Sequence, residues 1–305
     1  MQLTQLAEEF RALGYPAAEG ESMAAHTSFK IGGPADLFVT VPDGASAAAV
    51  LVRCRAAGVP VMVMGNGTNL LVSDAGIEGV VLKIETEAPP VLCKEAGVAC
   101  PAGLPVKKLC LFAREHGLSG LEFAFGIPGT VGGGVYMNAG AYGGQMSDVL
   151  ESVRIVTRSG EWEELRAENL ELGYRRSVLM ETGGVVVEAR FCLTPDKREN
   201  IAARMEDFLS RRRDKQPLEY PSAGSFFKRP PGHFAGTLIE SCGLKGARVG
   251  GAQISEKHAG FLINAGGATC ADVLRLSERV QKTVLDTCGV WLEPEVRPVG
   301  RGMSR

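Results

Sequence analysis

The sequence predicts a mixed α+β fold spread over more than one domain, and three observations predict it. Segments with helical apolar spacing alternate with short β-branched runs, glycine punctuates most of the joins, and 305 residues exceed what one hydrophobic core ordinarily organises. The opening MQLTQLAEEFRALG sets Leu3, Leu6, Phe10 and Leu13 on one helical face, and Glu8 and Glu9 break the basic-then-apolar order of a signal peptide, so a short surface helix is expected. Asp43 is placed to cap a helix over 45–57 that stops at Gly58, and Pro105 opens another that stops at Gly117. Strands are expected at 59–64, 79–84, 98–103, 152–157 and 184–193, each rich in β-branched residues and bounded by turn chemistry. After Leu193, Thr194-Pro195-Asp196 reads as a cap with proline at the first helical position. The helix that follows carries Ile201, Met205, Phe208 and Leu209 on one face and is expected to begin a new domain. A helix near 271–288, with Val273, Leu276, Val280 and Val284 inward and Gly289 at its end, precedes a last strand near 294–299.

Composition limits the function classes. Apolar residues at 45% and charged residues at 22% are those of a folded globular chain. A net charge of −2 gives no broad basic surface for nucleic acid or an anionic membrane, so an anionic ligand must be met locally. No apolar run approaches the roughly 20 residues that span a bilayer. The eight cysteines form no CxxC pair, sit mostly among apolar neighbours and share no ligand spacing with the four histidines. Buried reduced thiols in a cytoplasmic protein without a metal site are therefore expected.

Two glycine loops carry the first chemistry. VMVMGNGTNLLVSD (61–74) places a G-x-G turn after a strand, where bare backbone N–H groups can wrap a phosphate. A third glycine and a following helix, which a Rossmann site needs, are both missing, and a plain tight turn is the alternative. In FGIPGTVGGGVYMNAGAYGG, eight of residues 126–144 are glycine. Tight helix packing explains three or four of them, and close approach to a flat cofactor with a pyrophosphate is expected to explain the rest. The basic run RRRDKQP (211–217) reads as a solvated helix end, with phosphate binding as its alternative.

These loops, with TSFKIGGPA (27–35), YRRS (174–177), QPLEYPSAGSFFKRP (216–230), LIESCGLKGARVGGAQISEKHAGFLIN (238–264) and LEPEVR (292–297), resemble the UDP-N-acetylenolpyruvoylglucosamine reductase family in the same order from about residue 26 to 300. The resemblance implies the two-subdomain FAD-binding fold of the vanillyl-alcohol-oxidase superfamily over 1–86 and 87–197, and an α+β substrate domain over 198–305. It implies noncovalent FAD, NADPH as electron donor and a UDP-sugar substrate in peptidoglycan precursor synthesis, in a cytoplasmic monomer without nucleic-acid or membrane partners. In that picture Gly65, Asn66, Gly67, Thr68, Asn69 and Leu70 wrap the FAD pyrophosphate. Gly126, Ile127, Pro128, Gly129, Thr130, Val131 and Gly132 support the flavin, with Asn138 and Gly140 approaching it.

The implied reaction places a hydride on the outer carbon of an enolpyruvyl double bond while negative charge develops on the substrate carboxylate. Arg175 then supplies a planar cation for two carboxylate oxygens, Glu295 a protonated carboxylic acid that donates a hydrogen bond, and Ser225 the proton for the carbon beside the carboxylate. Without the resemblance these are a surface ion-pair partner, a solvated glutamate and a turn serine. Lys215 and Tyr174 are implied as substrate-binding residues, with a solvated helix-end lysine as the alternative for the first. Asn264 is implied likewise, with a turn or core hydrogen bond as its alternative, and His258 stays outside the catalytic set. Longer family members insert a loop after the YR motif whose tyrosine covers the substrate, but here only 50 positions separate Arg175 from Ser225. The chain matches the shorter subtype, with Tyr220 a candidate cover. A small-molecule oxidase on the same fold and a UDP-sugar-binding protein without catalysis are the competing functions.

Overall fold

The computed structural model describes residues 2–93 and 96–303. It separates into two compact units. The first holds the chain up to Glu19, Leu37–Asn66 and Gly79–Arg212; the second holds Gly20–Asp36, Gly67–Glu78 and the chain from Arg213 onward. The helices are α1 (Gln2–Ala12), α2 (Gly44–Ala56), α3 (Val106–Glu115), α4 (Val131–Tyr136), α5 (Leu179–Thr182), α6 (Arg198–Lys215), α7 (Ala235–Ser241) and α8 (Cys270–Cys288). None of the described helices is long and apolar enough to cross a membrane.

The first unit has two cores. In one, Leu6 and Phe10 of α1 and Ala47, Val50 and Cys54 of α2 pack with Leu37, Val39, Val80 and Leu82 from strands Pro34–Val41 and Ile77–Ile84. Asp43 caps α2 as its carboxylate accepts from the Ser46 N–H at 2.8 Å. Gly58, at φ 66°, takes the left-handed turn that ends the helix. The parallel strand Val61–Met64 lies beside Ile77–Ile84 and delivers the chain into the first glycine loop.

The other core is built on an antiparallel sheet ordered Trp162–Arg166, Leu150–Val156, Val185–Cys192, Gly97–Pro101, Val91–Leu92. Leu109 and Cys110 of α3, Val131 and Val135 of α4, and Ile201 and Met205 of α6 are buried in its core. Pro195 corrects one expectation. It does not open α6 but pairs with Leu118 in a two-residue strand, and the helix starts at Arg198.

Arg204 of α6 donates from Nη2 to Glu122 Oε1 at 2.7 Å and to Asp196 Oδ2. Burial resists ionisation of Glu122. The charged hydrogen bonds from Arg204, with the N–H groups of the 120–122 turn, more than offset this and hold its carboxyl below the usual range. Asp196 is pulled down to about 2, first by Arg204, then by Asn200 and the Lys197 N–H. Depressed carboxyl pKa values favour the folded state fully above the unfolded value of about 4 and lose that effect as pH falls. The urea midpoints of wild type and Glu122→Gln should therefore converge as pH drops below about 4; midpoints that fall in parallel would contradict this role.

The second unit centres on an antiparallel sheet ordered Ser222–Ser225, Phe261–Asn264, Ala252–Ile254, Arg248–Val249, covered by α7 and α8. Thr269 and Asp272 form a reciprocal capping box that starts α8, and Gly289, at φ 70°, ends it. The final strand, Arg297–Val299, is shorter than expected and runs parallel to Leu70–Val72, because Glu293–Glu295 pairs with 226–228 instead.

The thiols are less uniformly buried than expected. Cys54, Cys100, Cys110 and Cys270 are buried, and burial pushes Cys54, Cys100 and Cys270 up to about 12. Cys93 and Cys192 are exposed, and Cys242 and Cys288 are half-buried with their sulfurs 3.7 Å apart.

Candidate active site

In the first unit the opening of the first glycine loop, Gly65 and Asn66, crosses the second loop. A Cβ on Gly65 would lie 2.3 Å from Thr130 Oγ1, and Asn66 Nδ2 donates to the Pro128 carbonyl at 3.3 Å. Any side chain at Gly65 would force the loops apart. Thr130 caps α4 by accepting from the Gly133 N–H.

Backbone accounting shows where a ligand fits. In the second loop the N–H groups of Ile127, Val131 and Gly132 donate to the carbonyls of Ala124, Leu104 and Ala102, so these three N–H groups are already used within the protein. Those of Asn66, Gly126, Gly129 and Thr130 in the first unit, and separately those of Gly67 and Thr68 in the second, donate to no acceptor among the described residues. Gly67 and Thr130 are themselves buried, and a buried N–H without a partner is rare enough to mark a ligand. A dinucleotide pyrophosphate supplies the acceptors such N–H groups need.

The glycine surplus has a partly different cause from the one expected. A Cβ at Gly132, Gly134, Gly140 or Gly144 would come within 3.0 Å of Ala102, Met146, Gly144 or Phe123 respectively, so close packing of the protein on itself explains these four. Asn138 also departs from expectation. It is 1% exposed and its amide is engaged with protein groups, so it does not face a cofactor.

Beside Gly126 lies a cation that the reading of 211–217 as a solvated helix end misplaces. A Cβ on Gly126 would sit 2.9 Å from Arg212 Cδ. The Arg212 guanidinium has no ion pair among the described residues, and burial lowers its pKa, with Tyr142 opposing. Arg211 is exposed and paired with Asp207. Helical spacing from Met205 through Phe208 to Arg212 was the sequence signal for an inward arginine.

Arg175 sits at φ 56° in a tight turn where Gly173 and Arg176 exchange backbone hydrogen bonds. Its Nη2 donates to the Gly140 carbonyl at 3.3 Å, and its guanidinium lies 5.1 Å from the ring centre of exposed Tyr174. The left-handed backbone at a non-glycine residue carries a local cost that the surrounding structure must offset.

In the second unit the segment carrying Glu295 runs beside the end of the strand that carries Ser225, through an isolated bridge between Pro294 and Phe227. The Glu295 N–H donates to the Phe226 carbonyl at 2.8 Å, and Asn69 Nδ2 donates to the Glu295 carbonyl at 3.2 Å. Ser222 pairs with Ile263 but Ser225 with Phe261, so an extra residue bulges the strand, with Gly224 at φ 83°. Such a bulge re-aims the next side chain, and Ser225 is exposed. Leu70 begins the strand that pairs with Arg297, two residues beyond Glu295.

The remaining candidates divide. Lys215 is exposed at the end of α6, and Tyr220 is exposed nearby in sequence. Asn264 is 9% exposed; its amide donates to the Phe29 carbonyl and accepts from the Gly266 and Ala268 N–H groups. These bonds use the side chain to fix a turn, the alternative the sequence also offered for it.

Residues 35–166, which include both glycine loops, match the family model described as FAD binding domain. Residues 216–299, which include Ser225 and Glu295, match that of the UDP-N-acetylenolpyruvoylglucosamine reductase C-terminal domain. A UDP-N-acetylenolpyruvoylglucosamine reductase of Lachnoclostridium phytofermentans is 50% identical over 288 residues, covering 93% of each chain. One of Clostridium botulinum is 48% identical over 280 residues, covering 92% of this chain and 91% of its own. The crystal structure of the Thermus caldophilus enzyme superposes with a TM-score of 0.79 at 37% identity, over 93% of this chain and 98% of that one. With the FAD-binding region and the C-terminal domain both matched, the chain belongs to the UDP-N-acetylenolpyruvoylglucosamine reductase family, FAD-containing oxidoreductases that use NADPH to reduce the enolpyruvyl group of a UDP-amino sugar to UDP-N-acetylmuramate for peptidoglycan synthesis.

Proposed function

We propose that this chain carries out the family reaction with Arg175, Ser225 and Glu295 as its catalytic residues and the two crossing glycine loops as its FAD cradle. The observation that carries the cradle is the crossing of the loops at Gly65 and Thr130 in the first unit, where the N–H groups of Asn66, Gly126, Gly129 and buried Thr130 have no acceptor among the described residues. Bound there, FAD supplies a two-electron relay between NADPH and the enolpyruvyl double bond.

The chain's own residues do the rest. Arg175 holds the substrate carboxylate as negative charge develops on it, because a guanidinium offers two parallel donors to two oxygens. Glu295, in its protonated form, donates a further hydrogen bond to the same group. Ser225 Oγ gives its proton to the carbon beside the carboxylate once the outer carbon has received a hydride, so the double bond gains one hydride and one proton. The bulge at Gly224 aims Ser225 for that step. Tyr174 and Lys215 bind the rest of the substrate, with the Lys215 ammonium opposing the diphosphate charge. Arg212 adds a positive charge beside the second loop.

Three functional segments fit this reading: 1–86 and 87–197 for FAD, and 198–305 for the sugar nucleotide. Support comes from three hydrophobic cores that follow these segments in the main, with Phe29, Ile31 and Leu71 packed in the third core, Val156, Val185 and Val187 in the first, and the first turns of α6 in the second. A cytoplasmic monomer without nucleic-acid partners fits the free thiols and the net charge of −2.

The test is anaerobic. Purified protein should carry a flavin spectrum that bleaches with NADPH and returns when the enolpyruvyl UDP-sugar is added. A bleached spectrum that the sugar nucleotide leaves unchanged, but that air restores, would instead support an oxidase.

A further inference from the structure

We propose that Asn138 is a positioning residue for Arg175, fixing both the turn that launches its side chain and the carbonyl that receives its guanidinium. The inference rests on the reading of Arg175 as the carboxylate-binding group.

Asn138 Nδ2 donates to the Gly173 carbonyl at 3.0 Å, the carbonyl that also closes the Arg175 turn. The same Nδ2 donates to Gln145 Oε1 at 3.3 Å, and Oδ1 accepts from the Ser147 N–H at 2.9 Å. Two acceptors on one side and an N–H on the other leave a single orientation for the amide. Gln145 pairs with Gly140 in a short hairpin, and the Gly140 carbonyl is the acceptor for Arg175 Nη2. One buried amide thus ties together the root and the tip of Arg175.

The far side of the turn is held as well, because Ser177 Oγ donates to the Tyr136 carbonyl at 2.7 Å. Such fastening is needed. Arg175 occupies a left-handed conformation that an L residue with a bulky side chain avoids, and an unfastened turn would relax toward ordinary backbone.

The residue type follows from the same geometry. Asn138 is itself at φ 40°, a region that asparagine tolerates better than most residues. Aspartate accepts that backbone but cannot donate, and would set a carboxylate against the Gly173 carbonyl and Gln145 Oε1. Glycine also accepts it and removes the tie without adding charge.

Full-length, FAD-loaded Asn138→Asp and Asn138→Gly proteins test the proposal by anaerobic stopped flow. Reduction by NADPH should stay within about twofold of wild type, while reoxidation by the enolpyruvyl UDP-sugar slows by about tenfold or more, as expected when a reacting group is misplaced. The affinity of the oxidised protein for the sugar nucleotide, titrated by the change in flavin absorbance, should weaken in step. In an Arg175→Ala background the Asn138 substitutions should add almost nothing, since both act through one group. Additive effects, equal slowing of both half-reactions, or loss of FAD from both variants would overturn the positioning role. Wild-type reoxidation by Asn138→Asp beside a slow Arg175→Ala refutes the role of Asn138 alone. Wild-type reoxidation by Arg175→Ala refutes the reading of Arg175, and the inference with it.

Discussion

Ser225→Ala protein, mixed with NADPH without oxygen, should bleach its flavin at the wild-type rate and then turn over about 10³-fold more slowly than wild type. The proton on the product carbon beside the carboxylate has to come from a group aimed at it, and a hydroxyl is a usable donor only toward a strongly basic carbon. Alanine removes that donor while keeping the bulge at Gly224, the strand pairing of residue 225 with Phe261 and the Glu295 N–H bond to the Phe226 carbonyl. The split between half-reactions is therefore the signature. Equal slowing of both would mean that the substitution disturbs the flavin, and undiminished turnover would remove Ser225 from the chemistry. Single-turnover measurement in each direction separates these outcomes.

Gly65→Ala should cost FAD affinity roughly ten- to a hundredfold, the equivalent of an overpacking penalty of about 1–3 kcal/mol. The new Cβ would stand 2.3 Å from Thr130 Oγ1, and that hydroxyl is committed to the Gly133 N–H as the cap of α4. The loops must separate or the helix must lose its cap. Adding Thr130→Gly relieves the contact at little cost to the cap, since glycine is an acceptable residue there. The double variant should recover most of the affinity in a fluorescence titration of FAD. No recovery, or no loss in the single variant, would mean that the crossing of these loops does not set cofactor binding.

Elements whose causes are local were legible in the sequence. Asp43 and Gly58 bound α2, and Gly289 ends α8, because a cap is a contact between residues three or four apart. Causes that lie far away in the chain were not legible. Pro195 has the chemistry of a helix start, yet its place is set by a strand partner at Leu118. Gly132, Gly134, Gly140 and Gly144 look like ligand glycines until Ala102, Met146 and Phe123 are seen against them or their neighbours.

The candidate site divides the same way. The motifs mark Gly65, Asn66 and Thr130 as candidates, but which N–H groups lack a protein acceptor depends on carbonyls at Leu104 and Ala102 that no motif specifies. Asn264 and Asn138 share one lesson. A short amide in a glycine-rich loop suggests a ligand contact, and in both the side chain closes the loop on itself or on a distant carbonyl, a bond that no motif announces. Arg212 shows the converse, because a basic run looks uniformly solvated although one of its arginines turns inward by helical period.

A crystal structure of the protein with FAD and the enolpyruvyl UDP-sugar bound is the most direct measurement. It should show the pyrophosphate accepting from N–H groups of 66–68 and 129–130, Arg175 and Glu295 in hydrogen-bonding contact with the substrate carboxylate, and Ser225 Oγ over the adjacent carbon. A pyrophosphate bound elsewhere, or a carboxylate held by residues other than Arg175 and Glu295, would contradict it.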